Sequence, residues 1–395
     1  MIKLLKTLSL VYLVLFTTGC SFIASRLIPL NDIQSPTGEH SVGTQTFYWV
    51  DEERDEWFSQ KKGDKRELVV QVWYPSSESD GIKDPWLDNA SLREEAIIDN
   101  FKVPKFIAKA VNRVDTDTIK DSTPLLSSDY PVIIFSHGFE GFRSQNTTQI
   151  QELVSNGYIV FALDHTYDAA LTILPDGRQI PTAKKYCYDC KTDEFYEVFI
   201  PQINTRVSDI IFLINQIEKI KSGEIKSNFS TAMDIDNIGI FGHSFGGGTS
   251  LASSILDSRI KSCLSLDGWY APIHPDVYNQ GLSIPFLHLG QVEWEEDPIN
   301  YEILDKILES KVEMGYKLSL EGAQHYDFTD SPHLSSLSST FKLSSDLDSD
   351  EILMVTNTAV VGFFDEHLKE KHTNWIKDLK SNVNTQIEEF KSNEK

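Results

Sequence analysis

The stretch Ile238-Gly239-Ile240-Phe241-Gly242-His243-Ser244-Phe245-Gly246-Gly247-Gly248 restricts the chain more than any other. An apolar run predicts a buried strand, and the small residues over 248–255 predict a helix after it. Between them, Gly242, Ser244 and Gly246 fill the pattern G-x-S-x-G. A serine hydroxyl attacks a carbonyl only if the backbone lifts it clear and a base stands beside it. The turn that does this is sharp, and flanking side chains larger than hydrogen would clash. A helix beginning after the turn presents free N–H groups to an oxyanion. The pattern therefore points to a nucleophilic serine. A glycine-rich structural turn would satisfy the same letters.

Around this stretch, strands alternate with helices, which predicts an α/β fold with a mainly parallel sheet. Residues 44–50 and 67–74 read as early antiparallel strands joined by a charged hairpin over 51–66. Residues 131–135 form a continuous apolar run, as expected of a strand covered on both faces. A helix over 147–155 and a strand over 158–163 complete a β-α-β unit. Further strands are expected at 237–242, 261–266, 284–289 and, last, 316–320. Helices are expected at 199–221, 300–310, 351–367 and 374–390. Residues 164–195 read as an irregular insertion over the active site, and 333–350 as a Ser/Asp-rich mobile loop. Residues 91–114 read as helical. Lys102, Lys105, Lys109 and Arg113 recur there every three to four residues, beside an apolar face of Phe106, Ile107, Ala110, Val111 and Val114. Such a helix packs on a core or touches an anionic lipid surface.

A nucleophilic serine needs a base and an orienting acid, and in α/β-hydrolases the chain order is Ser, then Asp or Glu, then His. Six histidines follow Ser244. His288 lies inside an apolar strand, His367 and His372 among charged closing helices, and His274 too near the acid. His325 stands in a loop after the expected last strand, where the base belongs, with His333 a rival on the same loop. Asp267 ends the strand 261–266 and is followed by Gly268, which suits the acid. Asp257 comes one element too early, and Asp297 lies in an acidic run. The second oxyanion donor should follow an earlier central strand, where Gly138 lets the chain turn its amides inward. The expected donors are the backbone N–H groups of Phe139 and Phe245. Trp269, Tyr270 and Trp294, with Phe139, are candidate apolar walls of the substrate site or ordinary core. His137 reads as structural. The chemistry requires no metal and no organic cofactor.

The chain has 395 residues and a formal charge of −23. That charge repels phosphate backbones, so nucleic acid is not an expected partner. Lys3, Lys6, the apolar run 8–16 and Thr17-Thr18-Gly19-Cys20 resemble a bacterial lipoprotein signal. The resemblance implies cleavage after residue 19, lipidation of Cys20 and a tether over 20–43. The α/β-hydrolase catalytic domain would then occupy 44–395. An ordinary signal peptide with a chance cysteine is the alternative. The expected location is outside the cytoplasm, anchored to a bacterial membrane, and to the outer membrane if the cell is Gram-negative. Cys187 and Cys190 suit a loop disulfide or two plain thiols, and Cys263 the core.

Four segments together carry a family resemblance. They are Phe135-Ser136-His137-Gly138-Phe139-Glu140-Gly141-Phe142-Arg143, the turn Gly242-His243-Ser244-Phe245-Gly246-Gly247, Leu266-Asp267 before a tryptophan, and His325-Tyr326-Asp327-Phe328-Thr329-Asp330. In this order they resemble the secreted, serine-dependent platelet-activating-factor acetylhydrolase family. The resemblance implies a calcium-independent phospholipase A2-type esterase acting on short or oxidised sn-2 acyl chains of phospholipids. It places Ser244, Asp267 and His325 in the triad, and Phe139 with Phe245 in the oxyanion hole. A carboxylesterase on soluble or polymer-derived esters is the runner-up. A lipoprotein that keeps the fold and only binds lipid is the rival outside the enzyme class.

Overall fold

A computed structural model describes residues 29–183, 192–294, 297–310 and 312–391. Residues 1–28 with Cys20, and the pair Cys187 and Cys190, lie outside the described residues.

Val, Ile and Phe dominate the central strands because both faces of the sheet are covered. In β5 (Tyr130–Ser136), Val132 and Ile134 face one core while Ile133 and Phe135 face the other. The strands parallel to it and to one another are β6 (Ile159–Asp164), β9 (Met233–His243), β10 (Ile260–Leu266), β11 (Phe286–Gly290) and β12 (Met314–Leu320). On the first core pack α4 (Thr192–Ser222), α5 (Phe245–Leu256) and α7 (Ile299–Leu308). On the second pack α3 (Thr147–Ser155) and α9 (Ser349–Leu368).

The early strands β1 (Ser41–Asp55) and β2 (Lys65–Ser76) pair antiparallel, as expected, and β2 joins β6 antiparallel. The strands β3 (Lys83–Pro85) and β4 (Asp115–Lys120) extend that side and β13 (Thr385–Lys391) closes the other, giving the order β13-β12-β11-β10-β9-β5-β6-β2-β1-β4-β3. After β5 the chain runs to β6 on one side, then returns to β9 on the other. The C-terminal ends of β5 and β9 therefore diverge at a topological switch point, where open α/β sheets hold their ligands.

Several expectations need correction. β12 is not the last strand, because β13 (Thr385–Lys391) pairs antiparallel along its whole length, from Thr385↔Leu320 to Lys391↔Met314. The expected closing helix shrinks to α10 (Trp375–Lys380). The helix expected over 91–114 is broken. α1 (Ala90–Phe101) stops at Lys102, which takes a left-handed conformation (φ 54°), and Pro104 opens the short α2 (Lys105–Ala110). A residue before proline is driven out of the helical region, so the four basic residues never form one helical stripe. The insertion holds a hairpin, β7 (Leu171–Ile173) with β8 (Gln179–Pro181). The serine-rich segment is packed, not loose. α8 (Ser331–Leu334) runs into its start, Ser338, Ser344 and Ser345 are buried, and Ser345 N–H donates to Asp327 (2.9 Å). The expected tether is fixed where it is described. Ile33 is buried, Asn31 N–H donates to Leu334 O (2.9 Å) and His40 N–H to Ser155 O (3.0 Å). α6 (Pro275–Tyr278) is capped by His274. Among the described residues no helix is long and apolar enough to cross a membrane.

Candidate active site

Ser244 sits between the end of β9 and the first residue of α5 with φ 56° and ψ −122°. A non-glycine residue there costs about 1–3 kcal/mol and persists only if its surroundings over-determine it. They do. Ser244 N–H donates to Leu266 O (2.9 Å), and Ser244 O accepts from Trp269 N–H (2.8 Å) and Gly248 N–H (3.1 Å). The flanking glycines are required sterically. A Cβ on Gly246 would stand 2.0 Å from Ser136 O, and one on Gly242 would stand 2.3 Å from Gly246 O. The turn is thus pressed against the end of β5.

The bond to Leu266 places the serine backbone one residue from Asp267. That carboxylate is fully buried and meets four donors. Oδ1 accepts from Gln291 N–H and the Trp294 indole (3.0 Å each); Oδ2 accepts from the Gln291 side-chain amide (3.0 Å) and lies 2.6 Å from His325 Nδ1. Burial alone would raise the carboxyl's pKa, but the bond and charge of His325 and the Trp294 indole outweigh it and hold it below the usual carboxylate range.

His325 opens a short turn after β12, fixed by reciprocal bonds between Gln324 and Asp327. With Nδ1–H given to Asp267, its Nε2 is left as the acceptor for a serine proton. The ring keeps 31% side-chain exposure while Asp267 has none, so the pair is open on the imidazole's side only. Two neighbours steady it. Trp294 stands perpendicular to the imidazole with centroids 5.2 Å apart. His243 lies against it at 4.6 Å, and its Nε2 is 2.9 Å from His325 O. Burial, and then the neighbouring His325, push the His243 pKa down to about 3, so its ring is neutral and donates from Nε2. His243 Nδ1 faces the Gln145 side chain (3.3 Å), whose Oε1 accepts Gly138 N–H (2.8 Å). One amide side chain therefore links the loop after β5 to the serine turn, and His243 carries the link on to His325. Further along the base's loop, Asp330 accepts Thr147 N–H (2.8 Å), Thr148 N–H (3.0 Å) and the Trp86 indole (2.8 Å), which anchors that loop to the start of α3.

Phe139 lies in the loop after β5, and its ring meets Phe245 edge-on at 5.9 Å. Phe245 is the first residue of α5, where helix N–H groups have no partner within the helix. Of the two expected oxyanion residues, Phe245 directly follows Ser244 and Phe139 reaches its ring. The expected walls separate. Trp269 stays beside the turn, edge-to-face with Phe195 and Phe199 and tilted against Phe245, and donates its indole to Asp297 (3.1 Å). Tyr270 is core: it is fully buried with its hydroxyl 2.7 Å from His288 Nδ1. Trp294 is a partner of the acid. The rival acid Asp257 is held by Arg259, and the rival base His333 is buried. His367, read as surface, is half-buried against Tyr316 and Phe363. Sequence reasoning missed Gln291, Gln145 and His243. His243 carried a signal, being the variable residue before the serine; the two glutamines carried none.

The fold holds a second Ser–His–Asp line. Ser136 Oγ is 2.9 Å from His165 Nε2, and His165 Nδ1 is 2.9 Å from Asp209 Oδ2. All three are fully buried, and Arg66 and Arg54 also claim Asp209 (2.6 and 2.9 Å). Burial, then Arg206, push the His165 pKa down to about 3. This line braces the β5 end and meets no solvent. Among the described residues no group of three His, Cys, Asp or Glu is arranged to hold a metal, and Cys263 is a buried free thiol.

The family model for platelet-activating factor acetylhydrolase, isoform II, matches residues 29–386. The chain is 27% identical over 269 residues to the platelet-activating factor acetylhydrolase of Gallus gallus, a match covering 61% of this chain and 63% of that one. It is 24% identical over 320 residues to the Bos taurus protein of the same name, covering 76% and 71%. The match thus spans under two thirds of the chicken relative's length. A ferulic acid esterase from Streptomyces cinnamoneus superposes with a TM-score of 0.73 at 24% identity, over 90% of this chain and 99% of that one, a likeness in fold.

Proposed function

Because the chain belongs to the platelet-activating factor acetylhydrolase family, isoform II, we propose that it is a serine esterase that removes short or oxidised sn-2 acyl chains from phospholipids. Ser244 Oγ attacks the ester carbonyl while His325 Nε2 takes its proton. Asp267 holds the imidazole in the tautomer that can do so and stabilises the imidazolium. The oxyanion forms against the amides of Phe139 and Phe245. The ester C–O bond then breaks, and His325 returns the proton to the departing alcohol of the lysophospholipid. Water, deprotonated by His325, attacks the acyl-serine and releases the carboxylic acid.

The observation that carries this reading is the join of a strained serine turn to a paired acid and imidazole. Ser244 N–H is bonded to Leu266 O, the next residue is Asp267, and Asp267 holds His325 at 2.6 Å. A fluorophosphonate probe tests it. Wild-type protein should be labelled at Ser244 and should hydrolyse 2-acetyl phosphatidylcholine faster than the long-chain form. Ser244→Ala should lose both labelling and turnover. Labelling that survives Ser244→Ala would end the proposal.

The anchor belongs to the same proposal: residues 1–19 form a signal, Cys20 carries the lipid, and the enzyme works at a membrane face outside the cytoplasm. Residues 44–395 form its catalytic domain. The resemblance of the Thr17-Thr18-Gly19-Cys20 segment to a lipoprotein signal supports this. Metabolic labelling with an alkyne fatty acid should mark the wild type and not Cys20→Ala.

A further inference from the structure

Behind the loop after β5 stands a charged group for which the reaction scheme has no use. Arg206, on α4, is 1% exposed. Its Nη2 donates to His137 O (2.9 Å) and Gly138 O (3.3 Å). Its guanidinium carbon lies 4.7 Å from the centre of the Phe245 ring. Its Nε lies 2.7 Å from Asp168 Oδ2, and Asp168 O accepts the N–H of Glu140 (3.1 Å). Arginine and aspartate thus grip the 137–141 loop from two sides. The partner charge is neutralised, so what Arg206 supplies is chiefly orientation.

A trans peptide is planar, so the C=O of one residue and the N–H of the next point in opposite directions. The Gly138–Phe139 peptide is trans. Gly138 O accepts from Gly141 N–H (3.0 Å) as well as from Arg206. It also accepts from His137 Nδ1 at 2.6 Å, which must carry the proton because His137 Nε2 accepts His165 N–H (3.1 Å). Three donors fix that carbonyl, Arg206 from α4 and Gly141 and His137 from the loop itself, and because the carbonyl faces the guanidinium the Phe139 amide is turned away from it. The same guanidinium lies over the ring of the residue that supplies the other amide.

We propose that Arg206 is the positioning residue of the oxyanion hole, aligning the Phe139 amide through the Gly138 carbonyl and the Phe245 amide through its ring. This rests on the reading of those two amides as the oxyanion donors. Losing one such donor typically costs 10²–10³ in kcat, so loosening their support should cost about 10- to 100-fold.

The test uses the full chain, with kcat and KM for p-nitrophenyl acetate and the affinity of an aryl trifluoromethyl ketone, whose serine adduct carries an oxyanion. Arg206→Lys keeps the charge and cannot reach carbonyls and ring together. Its kcat should fall about 10- to 100-fold with KM within about threefold, and the ketone should weaken by the same factor as kcat/KM. Arg206→Met with Asp168→Asn removes both charges, leaves no lone buried carboxylate, and should fall further. Phe245→Leu keeps the amide and removes only the ring beneath the guanidinium. It should lose less than Arg206→Lys, in the same two readouts, and serves if the arginine variants do not fold. A folded Arg206→Lys, or a folded Phe245→Leu, with unchanged kcat and ketone affinity overturns the inference. So does a loss of kcat that spares the ketone. If Ser244→Ala kept full activity, the triad reading would fall and this one with it. An inactive Ser244→Ala beside an unimpaired Arg206→Lys would overturn this inference alone.

Discussion

Asp267→Asn is the substitution whose outcome the site fixes most tightly. The carboxylate accepts everything and donates nothing. Gln291 N–H and the Trp294 indole reach Oδ1, while the Gln291 amide and His325 Nδ1 reach Oδ2. Asparagine keeps the shape but must turn an NH₂ toward one of these pairs. Toward Oδ1 it faces two N–H groups that cannot reverse, a backbone amide and an indole. Each buried donor left without an acceptor costs about 1–3 kcal/mol. Toward Oδ2 it faces a glutamine amide that can flip and an imidazole that can change tautomer, so it settles there. His325 Nδ1 must then accept, its Nε2 carries the hydrogen, and the serine proton has nowhere to go. A forced wrong tautomer costs about 10⁴ in kcat, or roughly 5.5 kcal/mol of transition-state stabilisation. The assay is steady-state hydrolysis of p-nitrophenyl acetate at neutral pH, with urea unfolding in parallel. KM should change little, and stability should fall by about 1–3 kcal/mol. A folded Asp267→Asn that keeps more than a tenth of wild-type kcat would refute the argument.

Trp294→Phe keeps a ring beside His325 and removes one donor to a buried charge. Hydrogen bonds to charged groups are worth about 1.5–3 kcal/mol, so the urea midpoint should drop accordingly and kcat should fall about tenfold; unchanged values of both would return Trp294 to the role of a wall. Gly246→Ala sets a methyl 2.0 Å from Ser136 O, a backbone atom, and should destabilise by about 3 kcal/mol or more and abolish activity. Gly63→Ala, at φ 76° on open surface, should cost only about 1 kcal/mol and leave kcat unchanged, which denaturation curves would show. Burial pushes His165 and His243 down to about 3, against an ordinary value near 6.5. With the folded pKa depressed, the unfolded chain binds more protons, so their stabilisation is complete above pH 6.5 and is lost as pH falls toward 3. Each contributes on the order of a few kcal/mol across that window; near-ultraviolet circular dichroism should show loss of tertiary structure on acidification, and a signal unchanged from pH 7 to 4 would contradict it.

The central strands, and the pairing of Asp267 with His325, were legible because each leaves a local mark. A strand covered on both faces must be apolar throughout, and Tyr130–Ser136 and Phe286–Gly290 are buried along their whole length. The serine turn must be flanked by glycine, and the acid and base must follow strands. What stayed hidden was set by partners distant in sequence. Residues 385–391, charged enough to pass for a surface helix, became a strand because the edge of β12 lay open to them. The basic stretch after residue 101 kept a helical rhythm, and Pro104 overrode it. Trp294 looked like a substrate wall because an indole ring advertises its area more than its single N–H. Gln145 meets the His243 ring, 98 positions away, and Arg206 the carbonyls of His137 and Gly138, 69 and 68 positions away, and no window of sequence displays such contacts.

The same three residue types occur twice in this fold, and their surroundings differ. In the line Ser136–His165–Asp209 the distances are good, yet the serine ends a regular strand and the acid is shared with two arginines. A histidine there gains little from an aspartate already neutralised, and burial leaves no room for an ester. In the line Ser244–His325–Asp267 the acid meets only uncharged donors besides the imidazole, so its charge remains available to an imidazolium. The imidazole keeps an exposed edge, and the serine is raised on a strained turn against the backbone of β5. Arginines brace the first set and stand apart from the second, with Arg206 held by Asp168 and meeting the loop and ring beside the serine turn. Where the compensating charge is placed, more than which residues are present, separates the structural brace from the set proposed to carry the nucleophile.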